Sequence, residues 1–517
     1  MEDRKTGRGN LLTCQNLLDP RTDEGSTSIM SRIHHRAELQ RIARQALVSR
    51  GLLPEFDGGA LAQLERISRA PGLGCNGIRD LRGLLWCSID NDESRDLDQL
   101  SVATALGDGS VRIFVAIADV DALVEKATPI DAHAAHNTAS VYAAGHVFPM
   151  LPELLSTDLT SLGPGVDRPS LVVEYVVRED GNLAASEVSR AMVRNWAKLT
   201  YHGVGEWLDG GGPLPGAAAA VQGMDAQLRL QNQVAERLRR LRQEKGALDL
   251  VSLQARPVFH DDVVVGLRAD RPNRAKWLIE EFMIAGNGVV ARFLDAKARP
   301  SLRRVVRSPE RWAKIVEVAA RDGSSLPGQP SSRALEAFLS ERRLADPLHF
   351  PDLSLVIIKL MGPGEYVAEL PGGPHAGHFG LSVRDYAHAT APNRRFADLT
   401  TQRLVKAALA DAPSPYGVDE LTEIARSCTL QESSIAKVER QVSKSAAVLL
   451  LESRVGESFD GVVTGAADKG TWVRIFEPPV EGRIVRRPGG LRVGEKVRVT
   501  LVSTDFERGY LDFERAA

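Results

Sequence analysis

The sequence predicts an α+β protein with a small, separate all-β module at its C-terminal end. Three observations carry that prediction. Apolar, strand-like runs cluster between residues 84 and 120. Amphipathic helical patterns dominate residues 225–287, and short alternating strands punctuated by glycine fill residues 455–517. A chain of 517 residues exceeds what one hydrophobic core can organise and implies roughly three or four domains.

Residues 1–28 are polar, rich in Gly, Thr, Asp and Arg, and read as mobile. Apolar residues at helical spacing then predict a helix over 31–50, ended by Gly51 and Pro54, and a second over 59–69. Together they make residues 29–75 a helical module. Two helices joined by such a turn fit a helix-turn-helix unit, although plain helical packing satisfies the pattern as well.

Next comes Ser88-Ile-Asp-Asn-Asp-Glu-Ser-Arg-Asp-Leu-Asp-Gln-Leu100, with apolar strands on both sides of it. Carboxylates converging at a strand junction repel one another unless a cation neutralises them. Asp96 and Asp98 lie two apart and share a strand face, and a turn over 91–95 folds Asp90 back opposite them. Three hard oxygen ligands without a nearby Cys or His favour Mg²⁺ or Mn²⁺ over zinc. A solvated acidic loop has the same composition, but the apolar flanks argue against it.

Val111–Val120 is a strongly apolar strand. His133 and His136 stand three apart in a helical stretch, with nothing nearby to complete a metal site, and read as surface histidines. Residues 203–215 read as a glycine-rich loop; no Lys-Ser/Thr follows the glycines, so it is no phosphate cradle. A helix over 225–245 ends in a basic run that reads as a solvated face favoured by the helix dipole. The helix over 277–287 embeds Glu280 and Glu281, which burial tolerates only if they are paired. Twelve Lys/Arg against five acids over 268–314 form a local basic patch suited to a phosphate path. In the last module, Val497, Val499 and Leu501 alternate with Lys496, Arg498 and Thr500.

Composition narrows the function classes. Net charge is −2, so any nucleic-acid signal must be local. No apolar run approaches the ~18 residues a membrane span needs, and the N-terminus lacks a signal-peptide pattern. The widely spaced Cys14, Cys75, Cys87 and Cys428 read as reduced thiols of a cytosolic protein.

The acidic stretch resembles the signature of the ribonuclease II (RNB) exoribonucleases, in which Ile-Asp is followed after five residues by Asp-x-Asp-Asp. Asp90, Asp96 and Asp98 match its first three aspartates, and Gln99 stands at the fourth. Val115-Ala-Ile-Ala-Asp-Val120, Val141–Pro152, Asp158–Asp167, Trp277–Asn287, Tyr386–Leu399 and Val438-Glu-Arg-Gln-Val442 resemble family segments too, in order over roughly residues 45–517. The resemblance implies a mixed-sheet RNB catalytic domain over residues 76–454. It likewise implies an S1 domain, an OB-fold barrel that binds single-stranded RNA, over residues 455–517.

The activity so implied is a hydrolytic 3′→5′ exoribonuclease releasing nucleoside 5′-monophosphates from single-stranded RNA, the expected work of two Mg²⁺ with Mn²⁺ as an alternative. Asp90, Asp96, Asp98 and Gln99 would hold the metal, with Asp98 indispensable. Arg394 would clamp the phosphate beside the scissile bond, and Glu439 would join the active site. Tyr142 would stack on a base near the 3′ end, Glu280 or Glu281 would bind the terminal ribose hydroxyls, and Phe459 and Trp472 would stack bases in the S1 domain. Leu250 ends a segment that carries an aromatic in the family, which weakens a second stacking contact. No barrel strands precede Cys75, so RNA duplexes with a 3′ overhang become expected substrates. The protein is expected to be monomeric, cytoplasmic and free of membrane. The competing reading is an RNA-binding adaptor with a decayed site, and Gln99 is its only support.

Overall fold

The computed structural model describes residues 35–67, 78–251, 255–269, 272–347, 349–467 and 469–516. The polar N-terminal stretch, Cys14 and Cys75 therefore lie outside the described residues. Helix α1 (His35–Val48) buries Leu39, Ile42, Ala43, Ala46 and Leu47. Helix α2 (Gly58–Arg66) starts at Asp57, whose carboxylate accepts the Ala60 N–H at 2.7 Å. The two do not pack as a helix-turn-helix pair. α1 shares a core with Val141, Phe148, Ile435 and Val438, whereas Ala60 of α2 packs with Ile130 and Trp86. The linker is pinned instead by Asn137, which bonds both the N–H and the carbonyl of Leu53 at 2.9 and 2.8 Å.

The body is a seven-stranded mixed sheet. Its strands are β1 (Arg79–Asp80), β2 (Cys87–Asp90), β3 (Gln99–Ala105), β4 (Val111–Ala118), β7 (Asp167–Val177), β8 (Leu183–Arg194) and β9 (Ala197–Thr200), in the order β1-β8-β7-β4-β3-β2-β9. The outer pairs β1–β8 and β2–β9 are parallel and the inner pairs antiparallel. Helix α3 (Pro129–Asn137) and the hairpin β5 (Val141–Ala143) and β6 (His146–Phe148) lie between β4 and β7. Strand alternation gives the sheet two apolar faces. Ile113, Val115 and Ile117 face one core, and Phe114 and Ala116 face the other. His133 is not a surface residue: it is buried against Phe56, with ring centroids 4.2 Å apart.

Helices α4 (Tyr201–Leu208), α5 (Gly216–Ala219) and α6 (Met224–Glu244) follow the sheet, then hairpin β10 (Ala255–His260) and β11 (Val263–Ala269), then α7 (Arg274–Ala296). Residues 203–208, read as loop, are helical because Thr200 caps α4, its hydroxyl accepting the Gly203 N–H at 3.1 Å. Strands β12 (Ser301–Val305) and β13 (Glu365–Glu369) pair across three helices, α8 (Trp312–Arg321), α9 (Ser332–Ala345) and α10 (Phe350–Met361), which hold a core of their own. Leu250 packs against that core.

Part of the basic run over 268–314 is taken up by ion pairs. Arg274 meets Asp209 and Glu236, Arg303 meets Asp295, Arg304 meets Glu432, and Arg307 meets Glu365. The basic end of α6 is likewise no solvated face, since Arg239 meets Asp249 and Arg242 meets Glu281.

Helix α11 (Phe396–Leu409) precedes α12 (Val418–Leu451), a 34-residue helix about 51 Å long. α12 is the spine of the molecule. Leu421 and Ala425 pack on the sheet domain, Ile435, Val438 and Val442 on the α1 core, and Ala447, Val448 and Leu451 in the core of the C-terminal barrel. The barrel closes in the order β14-β15-β16-β18-β17. These strands are β14 (Ser458–Ala467), β15 (Gly470–Ile475), β16 (Glu481–Arg486), β17 (Lys496–Asp505) and β18 (Tyr510–Arg515). Gly482 permits the closure, because a side chain there would run into the Leu511 carbonyl and the Phe513 ring. Among the described residues no helix is long and apolar enough to cross a membrane.

Candidate active site

The site forms where β2 and β3 approach the loop that leads into α11. The turn after Asp90 is made by Ser94 donating to the Asn91 carbonyl at 3.2 Å, and Asp90 accepts the Asn91 N–H at 2.7 Å. Asp98 sits at the mouth of β3, and its own carbonyl accepts the Ala118 N–H. Its carboxylate is buried, 2% exposed. One oxygen accepts the Asn393 N–H at 2.9 Å. The other, Oδ2, lies 3.3 Å from Arg394 Nε and has no hydrogen-bond partner. Burial, opposed by Arg394 and the Asn393 N–H, pushes the Asp98 carboxyl up to about 7. Burial also raises Asp90.

The loop over 390–395 is built to present Arg394. Asp398, fully buried, accepts the Ala391 N–H at 2.8 Å and an Arg395 N–H at 2.7 Å. At 391 and 393 the backbone N–H groups tie the loop down, and the Asn393 side chain accepts the Thr160 hydroxyl at 2.6 Å.

Tyr142, half exposed on β5, donates its hydroxyl to Asp96 Oδ2 at 3.2 Å, and its N–H donates to Glu439 at 2.9 Å. Glu439 thus anchors the β5 hairpin to α12, and burial raises its carboxyl. The two glutamates of α7 divide. Glu281 is buried and takes two hydrogen bonds from Arg242, at 2.8 and 2.5 Å. Glu280 faces a cavity of about 320 Å³ that adjoins the aspartates.

Gln99, Tyr201, Arg256, Lys276, Ile279, Met283, Thr390 and Arg394 also line that cavity. Sequence reasoning singled out neither Tyr201 nor Arg256, and counted Lys276 only within the basic patch over 268–314. Thr200 as helix cap would have found the first; Lys276, Glu280 and Met283 share one face of α7 at spacings of four and three, a signal for the third. Arg256, on a two-stranded hairpin, carries no local signal.

In the barrel, Phe459 is a correction. It is 5% exposed, edge-on to Phe513 at 6.4 Å, so its ring is core and has no face for a base. Trp472 stays partly exposed on β15, paired with Arg483 on β16.

The buried Asp98 oxygen without a donor is what a cation-binding carboxylate looks like, and with Asp90 and Asp96 it offers hard oxygen donors suited to Mg²⁺ or Mn²⁺. Among the described residues, the side chains gathered tightly enough to hold a metal ion are Asp295, His375 and Asp385, with ligand atoms within 4.8 Å of one another. None lines the cavity, and Arg303, 2.6 Å from Asp295, already neutralises that group.

A mixed sheet bearing a carboxylate–arginine centre, coupled by one long helix to a closed five-stranded barrel, defines the class: a two-module α+β protein with an OB-type C-terminal domain. Residues 78–411 match the RNB domain and residues 457–516 match the RNase II-type exonuclease C-terminal S1 domain. The chain belongs to the RNB family. It is 29% identical over 471 residues to Ribonuclease R of Escherichia coli (strain K12), an alignment covering 84% of this chain and 57% of that one. The chain thus spans a little over half the length of that relative. The fold is similar to Mycoplasma genitalium RNase R in complex with ribose methylated single-stranded RNA, with a TM-score of 0.82 at 22% identity, covering 92% of this chain and 78% of the other. It is also similar to yeast Ssd1, a pseudonuclease, with a TM-score of 0.68 at 17% identity, covering 90% and 58%. Fold alone therefore does not decide catalysis; the site must.

Proposed function

We propose that the protein is a Mg²⁺-dependent hydrolytic 3′→5′ exoribonuclease that shortens single-stranded RNA and releases nucleoside 5′-monophosphates. The observation that carries this reading is Asp98, a buried carboxylate with one orphaned oxygen, held 3.3 Å from Arg394. Leaving such a group unsatisfied costs several kcal/mol, a cost that a bound cation offsets. An adaptor with a decayed site has no reason to keep it.

Asp90, Asp96 and Asp98 would hold the metal, with Gln99 beside them. When bound, Mg²⁺ supplies an activated water and neutralises charge on the transferred phosphate. Arg394 binds the scissile phosphate and opposes the charge that builds on its oxygens in the transition state. Tyr142, fixed through Asp96 and Glu439, offers a flat face to a base near the 3′ end. Glu280 accepts from the terminal ribose hydroxyls, and Glu281 keeps Arg242 in place behind it. Trp472 contributes stacking in the barrel. This reading implies a cytoplasmic monomer, consistent with the buried free thiols of Cys87 and Cys428.

The test is trimming of a 5′-labelled single-stranded RNA with Mg²⁺. Stepwise shortening from the 3′ end with release of 5′-monophosphates is expected. Internal cuts, or tight binding without shortening, would sink the proposal.

A further inference from the structure

We infer that Gln402 is a positioning residue for the hydrolysis: its buried amide sets Asp98 against Arg394. The inference rests on the exonuclease reading above. Gln402 lies on α11 and is fully buried. An amide in that setting is tolerated only when it is hydrogen-bonded. Its Nε2 donates to the Ala118 carbonyl at 2.7 Å, and its Oε1 accepts the Asp121 N–H at 3.0 Å. Both partners are backbone groups, so the bridge fixes where the chain runs as it leaves β4. Ala118 is also the residue whose N–H donates to the Asp98 carbonyl at 2.9 Å. One residue therefore separates the Gln402 amide from the backbone of Asp98.

In the other direction the route leads to Arg394. Asp398 stands four residues before Gln402, on the same face of α11. Its carboxylate accepts the Ala391 N–H at 2.8 Å and an Arg395 N–H at 2.7 Å, so this end of α11 holds the loop that carries Arg394. The circuit closes at the site itself. There the Asn393 N–H meets Asp98 at 2.9 Å, and Arg394 Nε lies 3.3 Å from Asp98 Oδ2. A carboxylate held by one hydrogen bond can pivot about it, and the second route, through α11, removes that freedom. Methionine would fill nearly the same volume as Gln402 without fixing the register of α11 against the end of β4. Lys406 also docks α11, but on side chains: it meets the Asp119 and Asp121 carboxylates, each at 2.8 Å.

The experiment follows trimming of a single-stranded RNA by the full chain with Mg²⁺, and reads RNA affinity and the urea midpoint for each variant. Gln402→Met removes both hydrogen bonds. Gln402→Asn keeps the amide but is one methylene too short to reach both backbone groups. Each should lower kcat by about thirtyfold, within the roughly hundredfold that a misplacement of ~1 Å can cost. KM and the RNA dissociation constant should stay within about threefold of wild type, because a buried positioning residue does not bind the substrate. Lys406→Met should lower the urea midpoint as far yet leave kcat within about twofold. In an Arg394→Lys background, where the guanidinium is already lost, Gln402→Met should cost less than about a further threefold. If Gln402→Met does not fold, Gln402→Asn carries each comparison in its place. Fully additive losses with Arg394→Lys overturn the inference, as does a kcat that neither Gln402 variant moves. An equal loss of kcat from Lys406→Met overturns it too, since any loosening of α11 would then suffice. In each of those cases the wild type still trims RNA and the exonuclease reading stands. If the wild type shortens no RNA, that reading has failed and takes this inference with it.

Discussion

Asp98 accepts one hydrogen bond, from the Asn393 N–H, and faces Arg394 as an ion pair, with a carboxylate that has room for more. Replacing it by Asn keeps the shape and removes the charge. Asp98→Asn should lower kcat by on the order of 10³-fold or more while leaving the affinity for single-stranded RNA within about threefold of wild type. Retention of more than a few per cent of turnover would show that the charge of Asp98 is not needed. Gln99 calls for a second experiment. An amide oxygen can ligate Mg²⁺ but brings no charge, so Gln99→Asp should reduce the Mg²⁺ concentration that half-saturates activity by severalfold. Asp92, exposed in the same turn, is a nearby acid able to substitute. If Gln99→Asp leaves the half-saturation point unmoved and Asp92→Asn raises it, Asp92 supplies the missing charge.

Helices α6 and α7 are joined near the cavity by a buried ion pair rather than by apolar packing alone. Arg242 on α6 holds both oxygens of Glu281 on α7 and approaches Glu280. Removing one partner of a buried pair strands the other charge. Arg242→Met should therefore destabilise the protein by about 3 kcal/mol or more, read as a lower urea midpoint. The double variant Arg242→Met with Glu281→Met should recover most of that loss; failure to recover would mean that Arg242 acts through other contacts. The pair was half legible in the sequence. A glutamate doublet inside an apolar helix requires a partner, but which arginine answers it depends on how two helices far apart in the chain are laid side by side.

At the scale of the whole molecule, α12 carries the barrel. Truncation after Arg454 would remove a domain and also uncover Ala447, Val448 and Leu451. We expect truncation, and Trp472→Ala with the barrel left in place, to weaken binding of single-stranded RNA by about tenfold, the contribution of one stacked base. Unchanged affinity in both would assign the barrel another role. Acid should loosen the fold through buried imidazoles. Burial first, then His136, holds His133 down to about 4. Between pH 6.5 and about 4 the unfolded chain therefore binds a proton that the folded chain does not, and stability falls with falling pH, by roughly 3 kcal/mol across that window for His133 alone. Urea midpoints at pH 7 and pH 5 test the sign. His133→Gln should show a shallower loss, and an identical pH dependence would remove His133 as the cause.

The spacing Asp90, Asp96, Asp98 and the run Tyr386–Leu399 were enough to mark the ends of the site, because metal-ligand carboxylates and a loop that aims an arginine need fixed residue types at fixed separations. The alternation over 455–517 likewise marked a barrel, since a closed sheet must put apolar residues inside at every second position. Charge was less legible. Over 268–314 the chain looks like a phosphate path, yet Arg304 and Arg307 meet Glu432 and Glu365, distant in sequence and adjacent in space. Phe459 and Trp472 are both aromatic strand residues, and only barrel closure decides that one faces in and the other stays partly open. The cavity is the clearest case. Gln99, Tyr201, Arg256 and Lys276 come from four elements, none bears a local pattern that ties it to the others, and their proximity exists only once the sheet, the hairpin and α7 have packed. Spacing along a chain is a property of sequence; convergence between elements is a property of packing.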